Sequence, residues 1–192
     1  SHTLEHLSPE AVTKTLEESY RILRSGGGIR LNIPDCGLAV KKYKENDLDW
    51  FRNVWMGYVD DRNDHRHPDG NYDEEYWLEF YLISFFASYL VRSDSYQIDL
   101  KEVRENFNEM TQTDFLNHYS QKVADDMQSE RPEWHRNWFT YDKIKHKLKE
   151  AGFSKIEKSE CWKSRFNEMK KDGFDKRPHM SLYIDAEKQL IR

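Results

Sequence analysis

The run from Ser8 to Asp35 constrains the fold of this chain more than any other segment. Ser8-Pro9-Glu10 sets a capping hydroxyl, a proline and an acid at successive positions, which opens a helix. The hydroxyl takes an orphan N–H, the proline stands where no donor is needed, and the acid meets the positive end of the helix dipole. Val12, Leu16, Tyr20 and Leu23 follow at helical spacing. Ser25-Gly26-Gly27-Gly28 then stops the helix, since glycine tolerates a left-handed turn. Ile29-Arg30-Leu31-Asn32-Ile33 alternates as a short strand, and Pro34-Asp35 ends it. A helix, a glycine turn and a strand in that order predict an α/β fold.

Cys36 to Lys44 reads as a further helix. From there to residue 134 the pattern changes to a helical, aromatic-rich insertion. One stretch holds Trp50, Phe51, Trp55 and Tyr58, and another holds Tyr76, Trp77, Phe80, Tyr81, Phe85 and Phe86, with a polar, turn-rich run between them. Helices are predicted over 100–110 and over 114–127, the second capped by Thr113 or Asp114 with Phe115, Leu116, Tyr119 and Val123 on one face. Order of the α/β kind returns near Trp138. Thr140 caps a helix carrying Ile144, Leu148 and Ala151, Gly152 stops it, and strands are predicted over 153–160 and 181–186. These two late strands read as an antiparallel pair at a sheet edge. The expected organisation is residues 1–44 and 135–192 as the α/β core, with 45–134 as the insertion.

Composition narrows the function classes. Charged residues make up 34% of the 192 residues and mean hydropathy is -1.00, yet aromatics reach 14%, which disordered chains do not. The net charge of -5 gives no basic footprint for nucleic acid, so none is expected as a partner. No apolar run approaches the roughly 18–20 residues of a membrane span, so no membrane partner is expected either. Cys36 and Cys161 form no metal-ligand spacing, and a reducing cytoplasm is the simpler setting for them. Asp64 to Gly70 contains His65 and His67 beside acids, but lacks a third ligand at diagnostic spacing and reads as a polar loop. No metal is expected.

Three passages together resemble the small type-11-like branch of the class I S-adenosylmethionine-dependent methyltransferases. Ser1-His2-Thr3-Leu4-Glu5-His6-Leu7 is similar to that family's Ser-His-x-Leu-Glu-His-Leu after its fourth strand. Glu18, Arg21, Leu23, Gly26, Gly27 and Pro34-Asp35 match its helix, double glycine, strand and Pro-Asp corner. The third passage runs from His135 through Tyr141-Asp142 and Ala151-Gly152-Phe153 to Arg177-Pro178-His179-Met180-Ser181-Leu182-Tyr183-Ile184 and Lys188. The resemblance implies the C-terminal part of a Rossmann-like methyltransferase sheet, ending in an antiparallel strand pair. It implies S-adenosyl-L-methionine as cofactor and methyl transfer to a small-molecule or sugar-like acceptor. The chain departs from the family in lacking a Gly-x-Gly loop after a first strand and the acid after a second; Gly26-Gly27-Gly28 follows a helix instead. The sheet edge so exposed is expected to be covered by a second copy or by a complementing N-terminal segment.

By the same resemblance Ser1, His2 and Leu4 are expected to line the cofactor pocket. Ligands of open α/β sheets lie beyond the carboxyl ends of the strands, which directs attention to Ser1–His6 and to Pro34-Asp35. His6, whose ordinary pKa of about 6.5 suits neutral pH, and Asp35 are the expected proton-handling groups. Glu5 is expected to orient substrate. Trp55, His135 and Trp138 are expected to line the acceptor side, with the aromatic insertion as a lid that excludes water. Helix capping and packing compete as roles for each of these residues. A non-catalytic remnant acting as a binding or assembly module is the alternative function.

Overall fold

The computed structural model describes residues 2–58, 73–93, 98–171 and 173–189. Its main elements are α1 (Pro9–Ile22), β1 (Gly28–Pro34), α2 (Cys36–Lys44), α3 (Trp77–Phe86), α4 (Leu100–Glu109), α5 (Gln112–Gln121), α6 (Asp125–Glu130), α7 (Tyr141–Glu150), β2 (Phe153–Ser159) and β3 (Ser181–Lys188). The chain divides into two compact units, Ser1–Asp35 with Phe139–Arg192, and Cys36–Trp138. The mixed α/β class follows directly. Ser1 and the 64–70 loop with its two histidines lie outside the described residues. Among the described residues no helix is long and apolar enough to cross a membrane.

The first unit is a three-stranded sheet in the order β1-β3-β2. One expectation changes here. Every strand pair among the described residues is antiparallel, so the sheet they form is not a parallel one. The late strand pair is antiparallel and at a sheet edge as expected, with β2 the edge strand and β3 inside it. β3 lies in the middle, with Gly28 to Pro34 paired along one side and β2 along the other. The sequence of β3 accounts for this: Leu182, Tyr183, Ile184, Asp185 and Ala186 are all buried, a continuous run that suits a central strand covered on both faces. Leu31, Ile33, Leu182 and Ile184 face Val12 and Leu16 of α1 and Ile144 and Leu148 of α7 in one core.

Local chemistry places the helices. Ser8 Oγ accepts the Ala11 N–H at 3.2 Å, so the predicted cap is in place. Thr140 Oγ1 does the same for the Lys143 N–H at 3.4 Å. Gly152, just past α7, has φ +100°, a conformation that side-chain-bearing residues avoid. Lys188 Nζ reaches back from β3 to the carbonyls of Tyr20 at 2.8 Å and Leu23 at 2.9 Å, closing the C-terminal end of α1. Gly28 is needed for a different reason: a Cβ there would lie 1.9 Å from Cζ of Phe166, whose ring packs on the strand.

The second unit is helical, with its core built on rings. Phe51, Phe80, Tyr81, Phe85, Phe86, Phe115 and Tyr119 are fully buried. Phe115 packs against Phe86, Phe107 and Tyr119 at centroid distances of 6.4, 5.1 and 4.9 Å. The single helix expected over 114–127 is two helices, α5 and α6. Thr111, not Thr113 or Asp114, is the cap: its hydroxyl accepts the Asp114 N–H at 3.2 Å and donates to the Asp114 carboxylate at 2.6 Å. The helix breaks where the Val123 carbonyl accepts from Arg136 at 3.3 Å, with the Asp125 carboxylate 2.6 Å from the same guanidinium. Those long-range partners replace the next turn.

Candidate functional site

The opening segment is tied to β1 by one backbone bond: the His2 N–H donates to the Asn32 carbonyl at 2.7 Å. A single 3-10 turn, Leu4–His6, follows. Its residues separate by chemistry. Leu4 is buried with Val12, Leu31 and Ile33 in the sheet core. Glu5 is only 1% exposed, although it carries a carboxylate. Two imidazoles flank one of its oxygens, His2 Nδ1 at 3.2 Å and His6 Nε2 at 3.6 Å from Oε1. On its other side the His2 ring meets Ser181, with Nε2 2.8 Å from Oγ. Arg177 Nη1 lies 3.5 Å from His2 Nδ1.

Ser181 opens β3 and is the register partner of Pro34. The His2 cluster and the Pro34-Asp35 corner therefore share one end of the sheet. At that corner the Asp35 N–H donates to the Met180 carbonyl at 2.9 Å, and the Asp35 carboxylate lies 3.6 Å from Lys158 Nζ. Of the residues expected from sequence, His2, Leu4, Glu5, His6 and Asp35 are thus in the first unit, with His2 and His6 each against Glu5. Ser1 lies outside the described residues. Ser181 and Arg177 were not expected as site residues. Their signal lay in the Arg177–Ser181 run that carries part of the family resemblance.

Trp55, His135 and Trp138 belong to the second unit. All three are buried and held by polar bonds at their edges. The Trp55 indole N–H donates to Ser84 Oγ at 2.8 Å, and its ring lies 5.2 Å from that of His135. His135 Nδ1 is 2.6 Å from the Phe85 carbonyl, while the Trp138 indole N–H donates to Asn117 Oδ1 at 3.1 Å. Buried rings with satisfied polar edges are what an aromatic core requires.

Two further features flank the rim. Behind it, Arg30 is clamped by Asp175 and Asp185, Nε to Oδ1 of Asp175 at 2.7 Å and Nη1 to Oδ1 of Asp185 at 2.8 Å. Burial alone would lower the Arg30 pKa, but the bonds to these two acids outweigh it and hold it above its ordinary value. Asp175 shows the converse: desolvation pushes its pKa up, and the bonds from Arg30 and the Trp162 N–H pull it below the ordinary carboxylate range. Along β1 runs a groove of about 380 Å³, with Gly28, Ile29, Arg30 and Asn32 as its floor. Ile22, Leu23, Met169 and Phe174 form apolar walls, and Ile22 and Phe174 are 71% and 50% exposed. Asn32 turns its carbonyl to His2, away from β3, so by the two-residue repeat of a strand the peptide groups of Gly28 and Arg30 face out along that same edge.

Comparison with protein-family models, with curated proteins and with solved structures finds no match to this chain. The reading of the site therefore rests on its own geometry.

Proposed function

We propose that this chain is the C-terminal part of an S-adenosyl-L-methionine-dependent methyltransferase that acts on a small-molecule or sugar-like acceptor. The observation that carries the reading is the bond from the His2 N–H to the Asn32 carbonyl, together with the His2–Ser181 contact. They bring the histidine-rich opening segment and the Pro34-Asp35 corner to one end of one sheet, where ligands of such folds collect. The order β1-β3-β2, with the last strand returning antiparallel, is in keeping with the end of a Rossmann-like sheet.

Methyl transfer requires the acceptor atom, methyl and sulfur in line, with a group to take the acceptor's proton. His6 and Asp35 are the proton-handling candidates, Glu5 orients the two histidines, and Lys158 neutralises Asp35. The fit to the cofactor is partial. His2 can border it, but Leu4 contributes packing, and the glycine turn before β1 closes on itself, since a Cβ at Gly27 would meet the Arg24 carbonyl at 2.8 Å. The described residues form no glycine cradle, so no reaction step is derived through the methyl donor.

The test is titration of the isotope-labelled chain with S-adenosyl-L-methionine, followed by amide NMR. Weak binding, with a dissociation constant on the order of 1 mM, is expected, with perturbations confined to His2–His6 and Pro34-Asp35. Perturbations elsewhere, or none at all, would remove the reading. The alternative, a non-catalytic assembly module, is favoured by the groove along β1, and predicts a stable oligomer by light scattering that is indifferent to the cofactor.

A further inference from the structure

The contacts around His2 have a consequence independent of methyl transfer. Ser181 Oγ lies 2.8 Å from His2 Nε2, and the opposite ring nitrogen, Nδ1, lies 3.2 Å from Glu5 Oε1. A hydroxyl within hydrogen-bond reach of an imidazole, with a buried carboxylate at ion-pair distance from the other side of the ring, is the set of groups that turns serine into a nucleophile. The three residues come from opposite ends of the chain, 179 positions apart for His2 and Ser181.

Three observations fit a reactive site better than a tether. Glu5 is 1% exposed, so its carboxyl group meets the imidazoles at short range with little solvent between them. Ser181 is half-buried rather than sealed, so a small ester can reach it. His2 and Arg177, the residues on either side of the ring contact, both sit at left-handed φ, 49° and 56°, which costs energy for residues with side chains and concentrates at functional sites. Two weaker neighbours compete. Ser181 Oγ also lies 3.3 Å from the Lys176 carbonyl, and Arg177 Nη1 lies 3.5 Å from His2 Nδ1. In each case the relay partner is the nearer one.

We infer that Ser181, His2 and Glu5 form an activated-serine relay that accepts the acyl group of small carboxylic esters. Ser181 Oγ bonds to the ester carbonyl carbon while its proton passes to His2 Nε2. The carbon–oxygen bond to the alcohol then breaks, and the leaving alkoxide takes that proton. Water repeats the sequence on the acyl-serine, releasing the acid and restoring Ser181. His2 is the base, and Glu5, at ion-pair distance from the ring, is a positioning residue that favours the imidazolium formed when the proton arrives.

The full chain is treated with an alkyl fluorophosphonate, the modified peptide is mapped by mass spectrometry, and hydrolysis of p-nitrophenyl acetate is followed in parallel. Labelling is expected at Ser181 and is lost in Ser181→Ala. His2→Gln keeps an amide donor for Ser181 Oγ but takes no proton, and slows labelling by about 100-fold. Glu5→Gln is expected to lower kcat for the ester with KM unchanged. Thermal melts of each variant check that the fold is retained, and His2→Gln is the variant least prone to unfold. Ser181 labelling no faster in the native chain than in urea, or labelling undiminished in His2→Gln, overturns the relay and leaves His2 as a tether. Neither result bears on cofactor binding, so the methyl-transfer reading is tested separately.

Discussion

Arg30 sits with 4% of its side chain exposed between two carboxylates that are each 1% exposed. Removing one partner of such a buried network leaves uncompensated charge, so Arg30→Met is expected to cost about 3–5 kcal/mol, read as a lower urea midpoint. Asp175 links this cluster to pH. Its folded pKa is below its unfolded value, so its contribution is complete above the unfolded pKa of about 3.9 and is lost as pH falls through the folded value. The acid arm of the stability profile, below about pH 4, should therefore be shallower in Asp175→Asn than in the parent. An equal slope in the two proteins would contradict the assignment. From sequence Arg30 was only a polar position in a strand, because its acids lie 145 and 155 residues away. His2, Glu5, His6 and Asp35 were legible by residue type and resemblance. The contacts that Ser181 and Arg177 make with His2 were not, since nothing local marks which end of a sheet a distant strand will reach.

Elements with local signals were the most legible. The cap at Ser8, the glycine after α7 and the strand after the glycine turn each depend on signals within a few residues, and each forms where predicted, although burial along β1 does not alternate. The misplaced cap at Thr111 shows the limit: Thr111 and Thr113 offer the same hydroxyl, and only the bond to Asp114 selects the first. Thr111→Ala should destabilise the protein by about 1 kcal/mol, while Thr113→Ala should be near neutral, both measurable by thermal melting. Gly28→Ala tests packing on β1. Its methyl would enter the space of the Phe166 ring, and a loss of about 1–3 kcal/mol is expected unless the ring moves aside. The double variant with Phe166→Ala should then show a smaller penalty for the glycine change than the single one, by a double-mutant cycle.

At the scale of the whole molecule, the outer edge of β1 stands out among the described residues because exposed Ile22 and Phe174 stand beside it. Unpaired edges with apolar walls drive association. The double change Ile22→Glu and Phe174→Glu should therefore raise the onset temperature of aggregation in light scattering without moving the melting midpoint of the sheet core. A lower onset would show that these side chains pack in the folded state. What the sequence determined alone is everything set by short-range spacing: helix starts and stops, the strand that follows the glycine turn, the ring-rich character of the middle segment and the mixed α/β class. Tertiary structure alone decided the direction and order of the strands, the central place of β3, and the meeting of His2 with Ser181. Strand pairing is a choice among distant segments with similar local preference. It is made by the total burial and hydrogen bonding of the assembled sheet, which no window of sequence contains.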